Sequence, residues 1–286
     1  LSLQSVAIGN QKFEKQIKLD VKLKKPRVAA VSYLNTLPFV FGLKRYDGNI
    51  LFELFLAPPV KCAQMLMQDV VDIALVPVGS LPMFSHVEIV SSYCLGAKGV
   101  VDSVFLLSNT PLHSIKRVFN DLHSYSSNAL VKVLSEHFWH LNVEIITPKI
   151  YPPPHLLYGD AMIAIGDKAF DLKTNFDIVI DLSLEWNKFT GKPFVFAVWI
   201  SKEKMHNEVI MNFNRALQFG VSNIKESLVH FNTEILTADN ALQYLEKNIK
   251  YDLNNDFIEG MELFLQYFDK NCLRKISYTY LNTNFY

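Results

Sequence analysis

Short apolar runs alternate with amphipathic stretches through the first two hundred residues of the chain. Val28-Ala29-Ala30-Val31 reads as a buried strand, extended to Arg27–Ser32, and Thr36 to Arg45 follows with helical spacing. Leu51 to Leu56 reads as strand. Pro58-Pro59 then opens a helix whose expected apolar face is Val60, Ala63, Leu66 or Met67, and Val70. Asp72 to Val76 is another short buried strand, and Glu88 to Tyr93 a further one. A long apolar run, Val101 to Ser108, precedes a second set. That set has strands at Ile115–Asn120, Val143–Ile146, Ala161–Ile165 and Phe176–Asp181, and a helix from about Ser126 to His140. Phe194 to Ile200 is the next long strand, and beyond Ser201 the pattern reads as helical near 202–229, 238–249 and 254–270.

Strands alternating with helices of this length imply βαβ units and mainly parallel sheets. One set bracketed by two long strands, with another set before it and helices after it, is how a chain passes from one lobe to a second and returns. The expected organisation is an N-terminal extension over 1–25, lobe one over 26–105 and 200–286, and lobe two over 106–199. Crossovers are expected near 103–109 and 195–200, with a ligand cleft between the lobes.

Strand ends supply the candidate chemistry. Ser32-Tyr33-Leu34-Asn35-Thr36 packs four polar side chains into five positions before a helix that Thr36 is placed to cap and Pro38 to start. Val78-Gly79-Ser80 ends the strand at 72–76, with Ser80 in position to cap the next helix. Asp102-Ser103 leads into the first crossover, Ser124-Tyr125-Ser126-Ser127-Asn128 opens the lobe-two helix, and Gly166-Asp167 ends the strand at 161–165. Helix N-termini bearing Ser or Asn suit a small carboxylate without needing Lys or Arg. Phe194 belongs to an apolar run that is mainly core, although an aromatic there can pack on a ligand ring.

Composition narrows the classes. The chain has 286 residues, 28 Lys+Arg against 28 Asp+Glu, and 50% apolar residues, so it is an ordinary globular chain with a large core. A net charge of zero argues against nucleic acid or an anionic membrane as partner. No apolar run reaches transmembrane length, and residues 1–25 are mixed and Lys-rich. Cys62, Cys94 and Cys272 form no disulfide framework or zinc spacing, and as free thiols they suit a reducing cytoplasm. His137 and His140 lie three apart with no Cys or carboxylate at ligand spacing, and neither a dinucleotide fingerprint nor a Walker sequence is present.

Several blocks resemble the MqnA/MqnD family, most closely its chorismate dehydratase branch. They are Val31-Ser32-Tyr33-Leu34-Asn35-Thr36, Asp72 to Val78, Gly99 to Val104, Ser124 to Leu134, Ile163 to Ala169, Asp181 to Trp186 and Thr190 to Trp199. They occur in family order and span roughly 27–200. Tyr125 stands where the family usually has Arg, Val100 where it has Pro, and Ser183-Leu184 where it has Gly-Glu. The resemblance implies a two-lobed α/β fold like type II periplasmic binding proteins, used as an enzyme in the cytoplasm without metal or organic cofactor. The implied substrate is a small dicarboxylate, chorismate, dehydrated to 3-[(1-carboxyvinyl)oxy]benzoate on the futalosine route to menaquinone. On this reading Asn35 and Ser103 donate to the departing hydroxyl, while the proton acceptor is the substrate's own carboxylate, Asp102 or Asp167. Two alternatives stand beside it: a solute-binding protein that only captures a small anion, and the sister enzyme that forms dihydroxynaphthoate.

Overall fold

A computed structural model describes residues 25–229 and 236–282. The expected extension over 1–25 therefore lies outside the described residues, apart from Lys25. In chain order, β1 (Arg27–Val31) leads through a 3-10 turn (Leu34–Thr36) to α1 (Leu37–Arg45). There follow β2 (Glu53–Ala57), α2 (Pro59–Met67), β3 (Ile73–Pro77), a 3-10 segment (Val78–Met83) and β4 (Val87–Ala97). The second set is β5 (Val104–Ser108), β6 (Arg117–Phe119), α3 (Tyr125–His137), β7 (Glu144–Ile146), β8 (Asp160–Ile165), α4 (Asp167–Leu172), β9 (Ile178–Asp181) and α5 (Leu182–Thr190). The return comprises β10 (Phe194–Ser201), α6 (Asn207–Ser222), α7 (Ile224–Leu228) and α8 (Ala238–Gln243). A π-helical turn (Tyr244–Asn248), β11 (Lys250–Asp252), α9 (Asn255–Asp269) and β12 (Ile276–Tyr278) complete it.

Two sheets result. The first runs β11-β4-β10-β3-β1-β2, with β12 also pairing β4, and the second runs β7-β6-β8-β5-β9. In the first, β1 pairs β2 and β3 in parallel while β10 lies antiparallel between β3 and β4. In the second, β6 is parallel to β7 and β8, and β5 is antiparallel to β8 and β9. Strand β5 shows the period of two that a sheet covered on both faces requires. Val104 and Leu106 join the main core, while Phe105 and Leu107 join a smaller one with Met162, Ala164 and Ala169. The main core is anchored by Trp186 and Trp199, both fully buried; Trp186 meets Phe194 and Phe264 edge-on.

Several local expectations are corrected. The two long strands are not the crossovers: β5 is fully paired in the second sheet and β10 in the first. The chain changes sheets before each of them, at 98–103 and 191–193. Gly99 (φ 87), Asp102 (φ 59) and Gly191 (φ 71) supply the left-handed backbone that these turns need. Positive φ at Asp102 also explains why the strand starts at Val104 and not at Val101. Helix α2 buries Cys62, Ala63 and Leu66, leaving Val60 half-buried and Val70 exposed. The C-terminal region is not wholly helical, because β11 and β12 share the outer edge of β4 at its two ends.

Candidate functional site

A cavity opens between the two sheets, enclosing about 540 Å³ of non-atom space that includes its open mouth. Tyr33 and Asn35 enter it from the corner after β1, Ser103 and Val104 from the first crossing, and Ser124, Ser126 and Ser127 from the start of α3. Ile165 and Gly166 end β8 there, Phe196 and Ala197 come from β10, and Ile249 from the C-terminal region. No lining residue carries a full charge at neutral pH, so the wall offers hydroxyl, amide and apolar surface.

The corner after β1 orients Asn35. Thr36 is fully buried and does not cap α1; its hydroxyl donates instead to Asn35 Oδ1 at 3.2 Å. With that oxygen engaged, the Asn35 amide N–H groups are left for other partners. The Tyr251 hydroxyl donates to the Asn35 carbonyl oxygen at 3.1 Å.

Ser103 is held from two sides. Its carbonyl oxygen accepts from Gly166 N at 3.0 Å, and its hydroxyl oxygen accepts from Tyr244 at 2.8 Å. Upstream, the Asp181 carboxylate takes four backbone N–H groups. Val101 and Asp102 donate to one oxygen at 3.0 and 2.8 Å, Ser183 and Leu184 to the other at 3.0 Å each. One side chain thus caps α5 and fixes the left-handed turn that delivers Ser103. Burial pushes the Asp181 carboxyl above its ordinary pKa, against the pull of those four donors.

At the start of α3, Ser124 is the cap, accepting from Ser127 N at 3.1 Å. Ser126 is committed within the protein. Its hydroxyl donates to the Phe196 carbonyl at 2.7 Å and accepts from Gly79 N at 3.1 Å, so it ties α3 to the first sheet. The Ser127 hydroxyl lines the cavity and takes no partner among the described residues. A Cβ on Gly79 would stand 2.6 Å from the Tyr125 carbonyl oxygen, so glycine is what lets this corner approach α3.

Of the residues expected at the site, Tyr33, Asn35, Ser103, Ser126, Ser127 and Gly166 line the cavity, and the others do not. Ser32 is exposed, its N–H donating to Ala57 O. Val78 and Ser80 are fully buried behind the wall, and Ser80 caps nothing: its hydroxyl donates to Pro77 O at 2.6 Å. Phe194 is core, set against Trp186, Phe196 and Phe264. Asp102 pairs with Lys173 at 2.7 Å. Asp167 accepts from Leu34 N at 3.0 and 3.3 Å, joining α4 to the corner after β1, and burial raises its pKa against that donor.

The Tyr33 ring lies against Gly166, where a Cβ would stand 2.8 Å from it, and its hydroxyl is buried with no partner among the described residues. Lys168, two residues beyond Gly166, pairs with Asp121 at 2.8 Å and lies over the Tyr151 ring. Sequence reasoning missed Tyr244, Tyr251 and Ile249. Their one signal is Tyr244 within the expected helix at 238–249 and Tyr251 just beyond its end.

Comparison with known proteins places this geometry. A family model described as menaquinone biosynthesis matches residues 26–270. Among solved structures, protein AF1704 from Archaeoglobus fulgidus superposes with a TM-score of 0.69 at 12% identity, covering 87% of this chain and 98% of that one. The Candida albicans CA3427 gene product, described as having the generic periplasmic binding protein fold, gives 0.65 at 11%, covering 89% and 96%. The alkanesulfonate-binding protein SsuA of Xanthomonas axonopodis pv. citri, bound to MOPS, gives 0.54 at 12%, covering 88% and 98%. At these identities the likeness is one of fold: two α/β lobes with a cleft.

Proposed function

The chain belongs to the menaquinone biosynthesis family, and we propose that within it the protein is a chorismate dehydratase, releasing water and 3-[(1-carboxyvinyl)oxy]benzoate. The observation that carries the reading is the meeting of Asn35 and Ser103 in one neutral cavity, each with an oxygen already accepting a hydrogen bond from the protein. Their own protons are thereby free for the ligand. Donors held in this way stabilise the charge that grows on a departing hydroxide.

The C4–O bond breaks with its electron pair leaving on oxygen, the pair of a ring C–H bond completes the aromatic ring, and the released proton and hydroxide make water. A base is needed for the ring proton. The lining residues contribute no carboxylate, imidazole or amine, while Asp102 is engaged by Lys173 and Asp167 by Leu34 N. This supports the substrate's own enolpyruvyl carboxylate as acceptor, with the cavity fixing its approach. A second carboxylate is assigned to the Ser127 hydroxyl and the first turn of α3. On this reading the protein works in the cytoplasm, where its three buried free thiols stay reduced.

Incubating purified protein with chorismate and following the loss of one water by mass tests the reading. Turnover in the wild type, lowered about 10²–10³-fold in kcat by Asn35→Ala or Ser103→Ala, is the expected result. Binding without turnover would replace it with a capture-only protein.

A further inference from the structure

Two tyrosines from the C-terminal region stand behind the two proposed donors. Tyr251, in β11, reaches the Asn35 carbonyl, and Tyr244, at the head of the π-helical turn, reaches the Ser103 hydroxyl. A π-turn inserts a residue into a helix and re-aims the side chains around it, and such turns recur at functional sites. Tyr244 is buried, with its ring edge-on to Phe170 at 5.2 Å. A phenol in that position needs a partner, and the one it has lies 141 residues away in sequence.

The direction of the contact is set by its neighbours. Thr36 occupies Asn35 Oδ1, and the Tyr244 proton goes to Ser103 Oγ at 2.8 Å. Ser103, having accepted on its oxygen, keeps its own proton, for which there is no acceptor among the described residues. Its backbone is pinned by Gly166 N, so rotation about χ1 is the freedom that remains. We infer that Tyr244 is a positioning residue for Ser103: its hydroxyl fixes the serine rotamer and directs the serine proton into the cavity. The inference rests on the reading of Ser103 as a donor to the ligand.

Tyr244→Phe, Ser103→Ala and the double variant test it. Tyr244→Phe should lower kcat about tenfold, the combined scale of three rotamer wells and one hydrogen bond, with KM within about twofold of wild type. In the Ser103→Ala background the same change should add nothing to the loss. An unchanged kcat, or an equal further loss in that background, overturns the inference, because a merely structural tyrosine acts alike in both.

A second measurement needs no substrate. In protein labelled with carbon-13 at the tyrosine ζ position, the Tyr244 resonance should show the hydrogen/deuterium splitting of a slowly exchanging hydroxyl. That splitting should vanish in Ser103→Ala. Its persistence there would mean that Tyr244 donates elsewhere, and the inference falls. Should the wild type leave chorismate unchanged, the proposed function fails on that result alone, while the splitting still decides whether Tyr244 holds Ser103.

Discussion

Removing the Ser126 hydroxyl separates two roles that adjacent serines at a helix start could share. In Ser126→Ala the Phe196 carbonyl loses a donor at 2.7 Å and Gly79 N loses an acceptor at 3.1 Å. Ser126 is 3% exposed, and the Gly79 backbone packs so closely on Tyr125 that a Cβ there would lie 2.6 Å from its oxygen. An orphaned buried backbone group costs about 1–3 kcal/mol; the carbonyl, with a second lone pair, sits at the low end, so the sum is about 2–4 kcal/mol. For a chain of this size that lowers the melting temperature by roughly 3–7 °C. Urea midpoints at constant m give the stability, and calorimetry with chorismate gives the affinity. Ser127→Ala is the control: its hydroxyl has no protein partner among the described residues, so stability should stay within about 0.5 kcal/mol while affinity falls about tenfold or more. Equal and small stability changes in both variants, with equal affinity losses, would mean that Ser126 faces the ligand and that the tie to β10 is not formed.

Three further outcomes are expected from the geometry. Burial raises the Asp167 pKa, so the protonated form favours folding: that stability is complete below about pH 4 and is lost as pH rises through the raised value. Asp167→Asn keeps an acceptor for Leu34 N without the charge. Its urea midpoint should vary less between about pH 4 and 7 and exceed wild type at the upper end; parallel curves would contradict the cause given for the shift. Gly79→Ala should cost about 2 kcal/mol or more and weaken ligand binding, since the new methyl meets the Tyr125 backbone; an unchanged melting temperature would show that the corner can back away from α3. Cys62, Cys94 and Cys272 are free and buried, and burial pushes the Cys62 thiol up to about 12, so a disulfide reagent at about pH 8 should label none of them until the protein is unfolded in urea. Rapid labelling of the folded protein would mean that the core around α2 opens.

The order of apolar and polar residues by itself determined much of this protein. The apolar runs at 28–31, 73–76, 161–165 and 194–200 read as buried strands by their length and β-branched content, and their alternation with helical spacing pointed to an α/β fold in two sets. The polar corners at their ends put Tyr33, Asn35, Ser103, Ser127 and Gly166 beside a common space, because strand ends in such sheets open toward helix starts. Periodicity is a local property, and the remainder was decided by contacts that are not local. Whether Ser126 or Ser127 meets the ligand depends on where the Phe196 carbonyl arrives, 70 residues on. Strands β11 and β12 have three residues each, too few to show a period; the free edge of β4 makes them strands. The same holds for Asp102 and Asp167, whose carboxylates look available in sequence and are taken up by Lys173 and Leu34 N. Tyr244 belongs to a helical pattern until the fold sets its hydroxyl on Ser103, and only the tertiary structure brings together two side chains 141 positions apart.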